Sequence, residues 1–316
     1  MPATLEKPRP WIRVVQWVGA ALVLAAVVWA ARSLDLRAVG EKLLTARTWP
    51  LVLAALVGCT IPLLVALQWY VFAPRDAAAR YWHVWRYTVL AIAAWSVLPS
   101  VVGVGVAAAV FAASGIGSAR AATILGLDQL GNGVAKGLLF LATASLVPLA
   151  TASAGAKPLM VMALALLGFV VLAAVVAWAR KRAGAGSALA RHLAGLPDTP
   201  RLVAGVGLSC AVKVVEGLVM VCIDGAMDFA PSLSRTLLAL SGVSLATLVG
   251  VGPANLGLYE GSVFSAYRLS GVAADSAASV AILQHAAALL PTLVLAAGVL
   301  AYQTWQRATS RVRPQV

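Results

Sequence analysis

Two short stretches, Pro99-Ser-Val-Val-Gly103 and Pro253-Ala-Asn-Leu-Gly257, interrupt long apolar segments of this 316-residue chain. Proline and glycine break a membrane helix and free backbone N–H and C=O groups. Such groups are tolerated at membrane depth only where protein or a polar cavity supplies hydrogen-bond partners. We therefore expect the segments at about 90–113 and 238–270 to enter the membrane and return to the same side as re-entrant hairpins. The expected helix breaks are Pro99, Gly103, Gly105, Pro253 and Gly257.

The composition around these stretches is that of a polytopic membrane protein. Hydrophobic residues make up 61% of the chain and charged residues only 11%, whereas about 25% of a soluble domain is charged. This composition excludes a soluble enzyme, a disordered chain and a secreted disulfide scaffold. Apolar windows of about 20 residues predict an all-α fold with about six full transmembrane helices, the first of them uncleaved. The windows lie at about 12–31, 50–73, 121–147, 158–179, 202–227 and 277–303.

The net charge of +13 indicates how the chain crosses the membrane. Cytoplasmic loops of membrane proteins are rich in Lys and Arg. If both interrupted segments return to their side of entry, 15 of the 24 Lys and Arg lie inside and 7 outside, Arg235 among the latter. We therefore expect a multi-pass protein of the inner (plasma) membrane with both termini in the cytoplasm. The basic cytoplasmic loop 180–201 would face anionic lipid headgroups, not nucleic acid.

An internal repeat relates the two interrupted segments. Gly115-Ile116 matches Gly271-Val272, and the polar pair Asp128-Gln129 matches Gln284-His285. We expect a single membrane domain over 1–316, with halves at about 50–150 and 202–303. In the topology above, the first hairpin enters from the inside and the second from the outside, so the repeat is inverted. Inverted repeats with broken helices are a recurrent transporter architecture.

Polar residues inside the apolar spans are the candidates for substrate binding or gating. A charge at a helix centre costs about 2.5–3.5 kcal/mol on insertion scales, so each must face the protein interior or a watery cavity. The candidates are Asp128, Gln129, Lys136, Lys213, Glu216, Glu260, Gln284 and His285.

Each charged candidate has a structural and a functional interpretation. Lys213 and Glu216, three residues apart, either neutralise each other or leave Lys213 to face a lipid phosphate. Lys136 either pairs with an acid on another helix or attracts a headgroup. Glu260 either accepts hydrogen bonds from N–H groups of the second break or acts as a gate. His285 is either a hydrogen-bonded packing residue or a group that titrates near neutral pH.

Signatures of catalysis are absent from the sequence. The three histidines are widely spaced, and no HExxH, GxSxG or Walker A pattern occurs. The three cysteines lie in apolar runs without a CxxC pair. We therefore expect no catalytic residues, no metal and no cofactor.

The interrupted segments resemble those of the lysylphosphatidylglycerol synthase transmembrane family of flippase-like membrane proteins. Three patterns carry this resemblance: Leu98-Pro99…Gly103, Gly115-Ile116…Leu127-Asp128-Gln129-Leu130, and Pro253…Gly257-Leu-Tyr-Glu260. The resemblance implies translocation of lipids or lipid-linked molecules between leaflets of a bacterial membrane. Stand-alone members include proteins linked to hopanoid biosynthesis and transport. The aminoacyl transferase domain of bifunctional members is missing here, so lysyl transfer is not expected.

Several arginines usual in the family are replaced in this chain. The neighbourhoods that often hold them read Ser100-Val-Val-Gly-Val-Gly-Val, Asp128-Gln129 and Gln284-His285. Fewer cations leave room for a neutral or polycyclic lipid, or for a lapsed activity. We expect a flippase or exporter whose groove lies between the two hairpins. The alternatives are a non-transporting scaffold that binds lipid-biosynthesis enzymes through the loop 180–201 and, less favoured, a membrane-embedded lipid-modifying enzyme.

Overall fold

The helices of the protein follow the apolar segments of its sequence. A computed structural model describes residues 35–73, 81–98, 100–147, 197–249 and 255–312, and no strand occurs among them. The helices are α1 (Leu36–Thr45), α2 (Thr48–Gly58), α3 (Thr60–Phe72), α4 (Tyr81–Val97), α5 (Ser100–Phe111), α6 (Ser118–Leu146), α7 (Thr199–Ala226), α8 (Leu233–Val249), α9 (Leu258–Leu269) and α10 (Ala274–Val312).

Three stretches among these helices are long and apolar enough to cross a membrane. They are Thr48–Phe72, which joins α2 and α3 across a bend at Cys59, Thr199–Ala226, and Ala274–Gln306. They confirm the spans predicted at 50–73, 202–227 and 277–303. Helix α6 covers the span predicted at 121–147, and its 29 residues give it a length of about 44 Å. The predicted spans 12–31 and 158–179, and most of the loop 180–201, lie outside the described residues.

Both interrupted segments fold as pairs of packed helices. Helices α4 and α5 form the first hairpin, and α8 and α9 form the second. Each hairpin joins a 17-residue helix to a 12-residue helix. The first break lies where it was expected, since α4 ends at Val97 and α5 begins at Ser100, on either side of Pro99. The physical reason is that the residue before a proline is disfavoured in a helix. Pro99 and Pro253 themselves lie outside the described residues.

The three glycines predicted as helix breaks have different roles. Gly257, with φ +82°, directly precedes α9 and is a true break residue. Gly103 and Gly105 are not break residues, because both lie within α5. Gly103 instead permits close packing, since a Cβ atom there would lie 3.0 Å from Trp95 Cα on α4. Gly105 is exposed, and a Cβ atom there would meet nothing within 4 Å.

The two halves of the chain repeat the same order of helices. Each has a membrane-spanning stretch, a hairpin and a long helix, and each turns into the long helix through a glycine of positive φ, Gly115 at +90° and Gly271 at +81°. The packing is reciprocal: α6 of the first half contacts α8 of the second, and α10 of the second contacts α4 of the first. The bounds of the halves, at about 50–150 and 202–303, stay a prediction. The inverted orientation of the halves in the membrane stays a prediction.

Two apolar cores support this arrangement. One surrounds Trp69, Phe111 and Ile124 in the first half, and the other surrounds Ile223 and Tyr267 in the second. Helix α7 joins the two halves because it packs on α2, α3 and α6. The long helices therefore bring polar residues of both halves to the middle of the protein.

Candidate functional site

Five charged or titratable side chains gather where the second hairpin meets α6, α7 and α10. We call Lys136, Lys213, Glu216, Glu260 and His285 the charged cluster. All five were candidates from the sequence. They come from four different helices, so the fold and not the sequence spacing brings them together.

The two lysines of the charged cluster are held differently. Lys213 Nζ lies 2.7 Å from Glu216 Oε2, one turn along α7, so these two side chains form an ion pair. Lys136 Nζ donates a hydrogen bond of 3.0 Å to Thr247 Oγ1 on α8. The hydrogen-bond partner of Lys136 is therefore a hydroxyl group, and not the acid on another helix that was one of the two alternatives predicted from the sequence. Lys136 nevertheless lies close enough to Lys213 and Glu216 for the three charges to interact.

Glu260 and His285 connect the second break to the last span. Glu260 Oε2 accepts a hydrogen bond of 2.7 Å from the backbone N–H of Gly257, as expected for a carboxylate behind the break. Its other oxygen lies 2.7 Å from His285 Nδ1 on α10. The ring of Tyr259 stacks on the imidazole, with centroids 4.6 Å apart. Tyr259 also lies near enough to Glu216 for their charges to interact. The Glu260–His285 pair and the Lys213–Glu216 pair are therefore neighbours.

These charges lie in the interior of the protein but are not sealed off. The side chains of Glu216 and Glu260 keep 29% and 27% of their surface exposed, although Glu216 lies near the middle of a 28-residue apolar helix. A charged residue at that depth faces a cavity or a binding partner by default. The carboxylates of the charged cluster are therefore partly accessible from outside the protein.

Asp128 and Gln129 do not join the charged cluster by direct contact. Asp128 is only 2% exposed. Its carboxylate accepts hydrogen bonds from Trp69 Nε1 at 3.1 Å and from the side-chain amides of Gln129 and Asn132 at 3.0 and 3.4 Å. In the structure, Asp128 ties α6 to the first membrane-spanning stretch.

Gln284 belongs to a second network that sequence reasoning did not find. Tyr267 OH donates to Asp224 Oδ1 at 2.5 Å and accepts from Gln284 Nε2 at 2.9 Å. Arg235, expected in an outside loop, donates to Asp224 Oδ2 at 2.7 Å and has a side chain only 11% exposed. The sequence feature that could have predicted this contact is the short connection between Asp224 on α7 and Arg235 on α8.

An apolar groove of about 580 Å³ runs between α6, α7 and α8. Lys213 lies on its wall, beside the exposed apolar side chains of Leu138, Val214 and Leu218. No described residue of α4 or α5 lines this groove, so it is not the groove expected between the two hairpins, which stays a prediction. Helix α6 packs directly on α8 beside the groove, with Thr143 Oγ1 2.8 Å from Ser241 Oγ.

No metal site emerges from the described residues. No group of three or more His, Cys, Asp or Glu side chains in the described parts of the chain is placed to hold a metal ion. The three cysteines are free and only partly buried.

The arrangement defines an all-α polytopic membrane protein with broken hairpins and charged groups at its centre. The family model of the lysylphosphatidylglycerol synthase TM region matches residues 16–296, which is most of the chain. The chain belongs to this family, and its role is that of a membrane protein connected with lipids. A comparison with individual curated proteins gave no match.

Proposed function

We propose that this protein moves a lipid, or a lipid-linked molecule, between the leaflets of a bacterial inner membrane. The observation that carries the proposal is the position of Lys213. This residue belongs to the charged cluster and also lies on the wall of the apolar groove. A lipid has the same two parts, a polar headgroup joined to acyl chains. In the proposal the charged cluster takes the headgroup and the groove takes an acyl chain.

The barrier to lipid translocation is the passage of the headgroup through hydrocarbon. Polar groups without hydrogen-bond partners are costly there. A cluster of charges near the middle of a long helix supplies such partners at the depth where the bilayer supplies none. The end of α8 and the start of α9 both lie beside the charged cluster, because Thr247 is near the end of α8 and Tyr259 is near the start of α9.

A leaflet-transfer assay tests the proposal. The purified full chain is placed in vesicles that contain a fluorescent phospholipid, and dithionite quenches the label in the outer leaflet. We expect transfer faster than in protein-free vesicles. Lys136→Ala or Lys213→Ala should each slow it about tenfold, because each removes a hydrogen bond from a charged donor. Arg37→Ala is the matched control, since the Arg37 side chain is 88% exposed on α1.

Two outcomes contradict the account in different ways. Wild-type rates in both lysine variants would show that the charged cluster does not bind the headgroup. No transfer by the inserted wild-type protein would refute translocation itself. A scaffold would give this second result together with co-purifying lipid-biosynthesis enzymes.

A further inference from the structure

The charged cluster is balanced in charge. Two lysines, Lys136 and Lys213, lie near two carboxylates, Glu216 and Glu260, and the formal charges of these four side chains sum to zero. A site built for a purely anionic ligand needs an excess of cations, which this region does not have. Positive and negative groups instead lie side by side, as Lys213 and Glu216 do at 2.7 Å.

We propose that the charged cluster selects a zwitterionic lipid headgroup, one that carries both a phosphate and an ammonium group. This inference rests on the proposed function and names its substrate class. The phosphate would approach Lys136, Thr247 and Lys213. The ammonium group would approach Glu216 and Glu260.

The two sets of groups are chemically suited to these roles. On the cationic side, Thr247 places a hydroxyl 3.0 Å from the Lys136 ammonium group, so a phosphate would meet a hydroxyl and two lysines. On the anionic side, both carboxylates are more than a quarter exposed, and the Tyr259 ring stacks on His285, the partner of Glu260. Carboxylates next to an aromatic ring are common surroundings for an ammonium ion.

None of the other interior charges nearby adds a cation that could offset the two carboxylates. Asp224 and Arg235 neutralise each other at 2.7 Å. Asp128, near enough to Lys136 for their charges to interact, is 2% exposed and already accepts three hydrogen bonds. A net anion at the charged cluster would therefore lie against two carboxylates with no excess of cations to offset the repulsion. A net cation would meet the same difficulty from the lysines.

The experiment compares headgroups on one acyl-labelled lipid backbone. The wild-type protein in vesicles is assayed with phosphatidylethanolamine and with phosphatidylglycerol, which share a phosphate but differ in the ammonium group. We expect phosphatidylethanolamine to move about tenfold faster. If phosphatidylglycerol moves as fast or faster, the inference is overturned while the proposed function stands. If neither lipid moves faster than in protein-free vesicles, the inference and the proposed function are both refuted.

A charge-neutralising variant links the selectivity to the charged cluster. Glu216→Gln raises the net charge of the cluster by one, so it should speed phosphatidylglycerol relative to phosphatidylethanolamine and bring the ratio of rates towards one. Glu41→Gln is the control, because Glu41 is 64% exposed on α1 and should leave the ratio unchanged. An unchanged ratio in Glu216→Gln would overturn the inference. If that variant does not insert, the wild-type comparison of the two lipids still decides.

Discussion

The contact between Gly103 and Trp95 makes the first hairpin sensitive to a single methyl group. A Cβ atom at residue 103 would lie 3.0 Å from Trp95 Cα and 3.2 Å from both its Cδ1 and its carbonyl oxygen. Unstrained carbon contacts are about 3.5–4.0 Å. Two of the three atoms belong to the backbone, so relief requires the helices to move apart. Overpacking of this kind costs about 1–3 kcal/mol.

Gly105 provides a matched control in the same helix. It lies two residues away on α5, and a Cβ atom there would meet nothing within 4 Å. Both substitutions to alanine gain about the same helix propensity, up to about 1 kcal/mol. This gain cancels when the two variants are compared. Gly103→Ala should therefore be less stable than Gly105→Ala by about 1–3 kcal/mol.

The stabilities are measured by unfolding both variants with SDS in mixed micelles and following helix content by far-UV circular dichroism. Gly105→Ala should unfold at the wild-type SDS concentration or slightly above it, and Gly103→Ala below it. If Gly103→Ala is as stable as Gly105→Ala, the two helices of the first hairpin do not pack as described, and the role assigned to Gly103 is wrong.

Two further substitutions probe the buried network and the groove. Asp224→Ala should cost about 3–5 kcal/mol in the same SDS titration, because it leaves the Tyr267 hydroxyl without its acceptor and Arg235 buried without its counter-ion. The control is Asp228→Asn, because Asp228 is 62% exposed and asparagine tolerates its positive φ. A loss below about 1 kcal/mol in Asp224→Ala would contradict the network. Val214→Trp should fill the groove and slow leaflet transfer without preventing insertion, whereas Leu53→Trp, which lies outside the groove, should not. Equal rates in these two variants would show that the lipid takes another path.

The fold was largely predictable because its signals are local. Apolar windows predict spans by length alone, and proline with glycine predicts where a helix must end. The match between Gly115 and Gly271 was also informative, because both positions have a positive φ that L side chains rarely adopt. Gly103 and Gly105 could not be told apart, because the difference depends on a neighbour across the hairpin.

The partners of the buried charges were not predictable, because they come from distant parts of the chain. Lys136 finds Thr247 after 111 residues, and Thr247 carries no charge that would mark it in the sequence. Arg235 looks like a loop residue until the fold places it against Asp224. The ion pair between Lys213 and Glu216 was one of two alternatives predicted from the sequence, because the two residues are about one helical turn apart.

Photo-cross-linking tests most directly whether the lipid headgroup passes through the charged cluster. A phospholipid with a photoreactive group in its headgroup is incorporated into vesicles with the full-length protein, and the cross-linked peptides are mapped by mass spectrometry. The account predicts adducts in the segments that contain Lys136, Thr247 and Tyr259. Adducts confined to surface segments such as Leu36–Thr45 would contradict it.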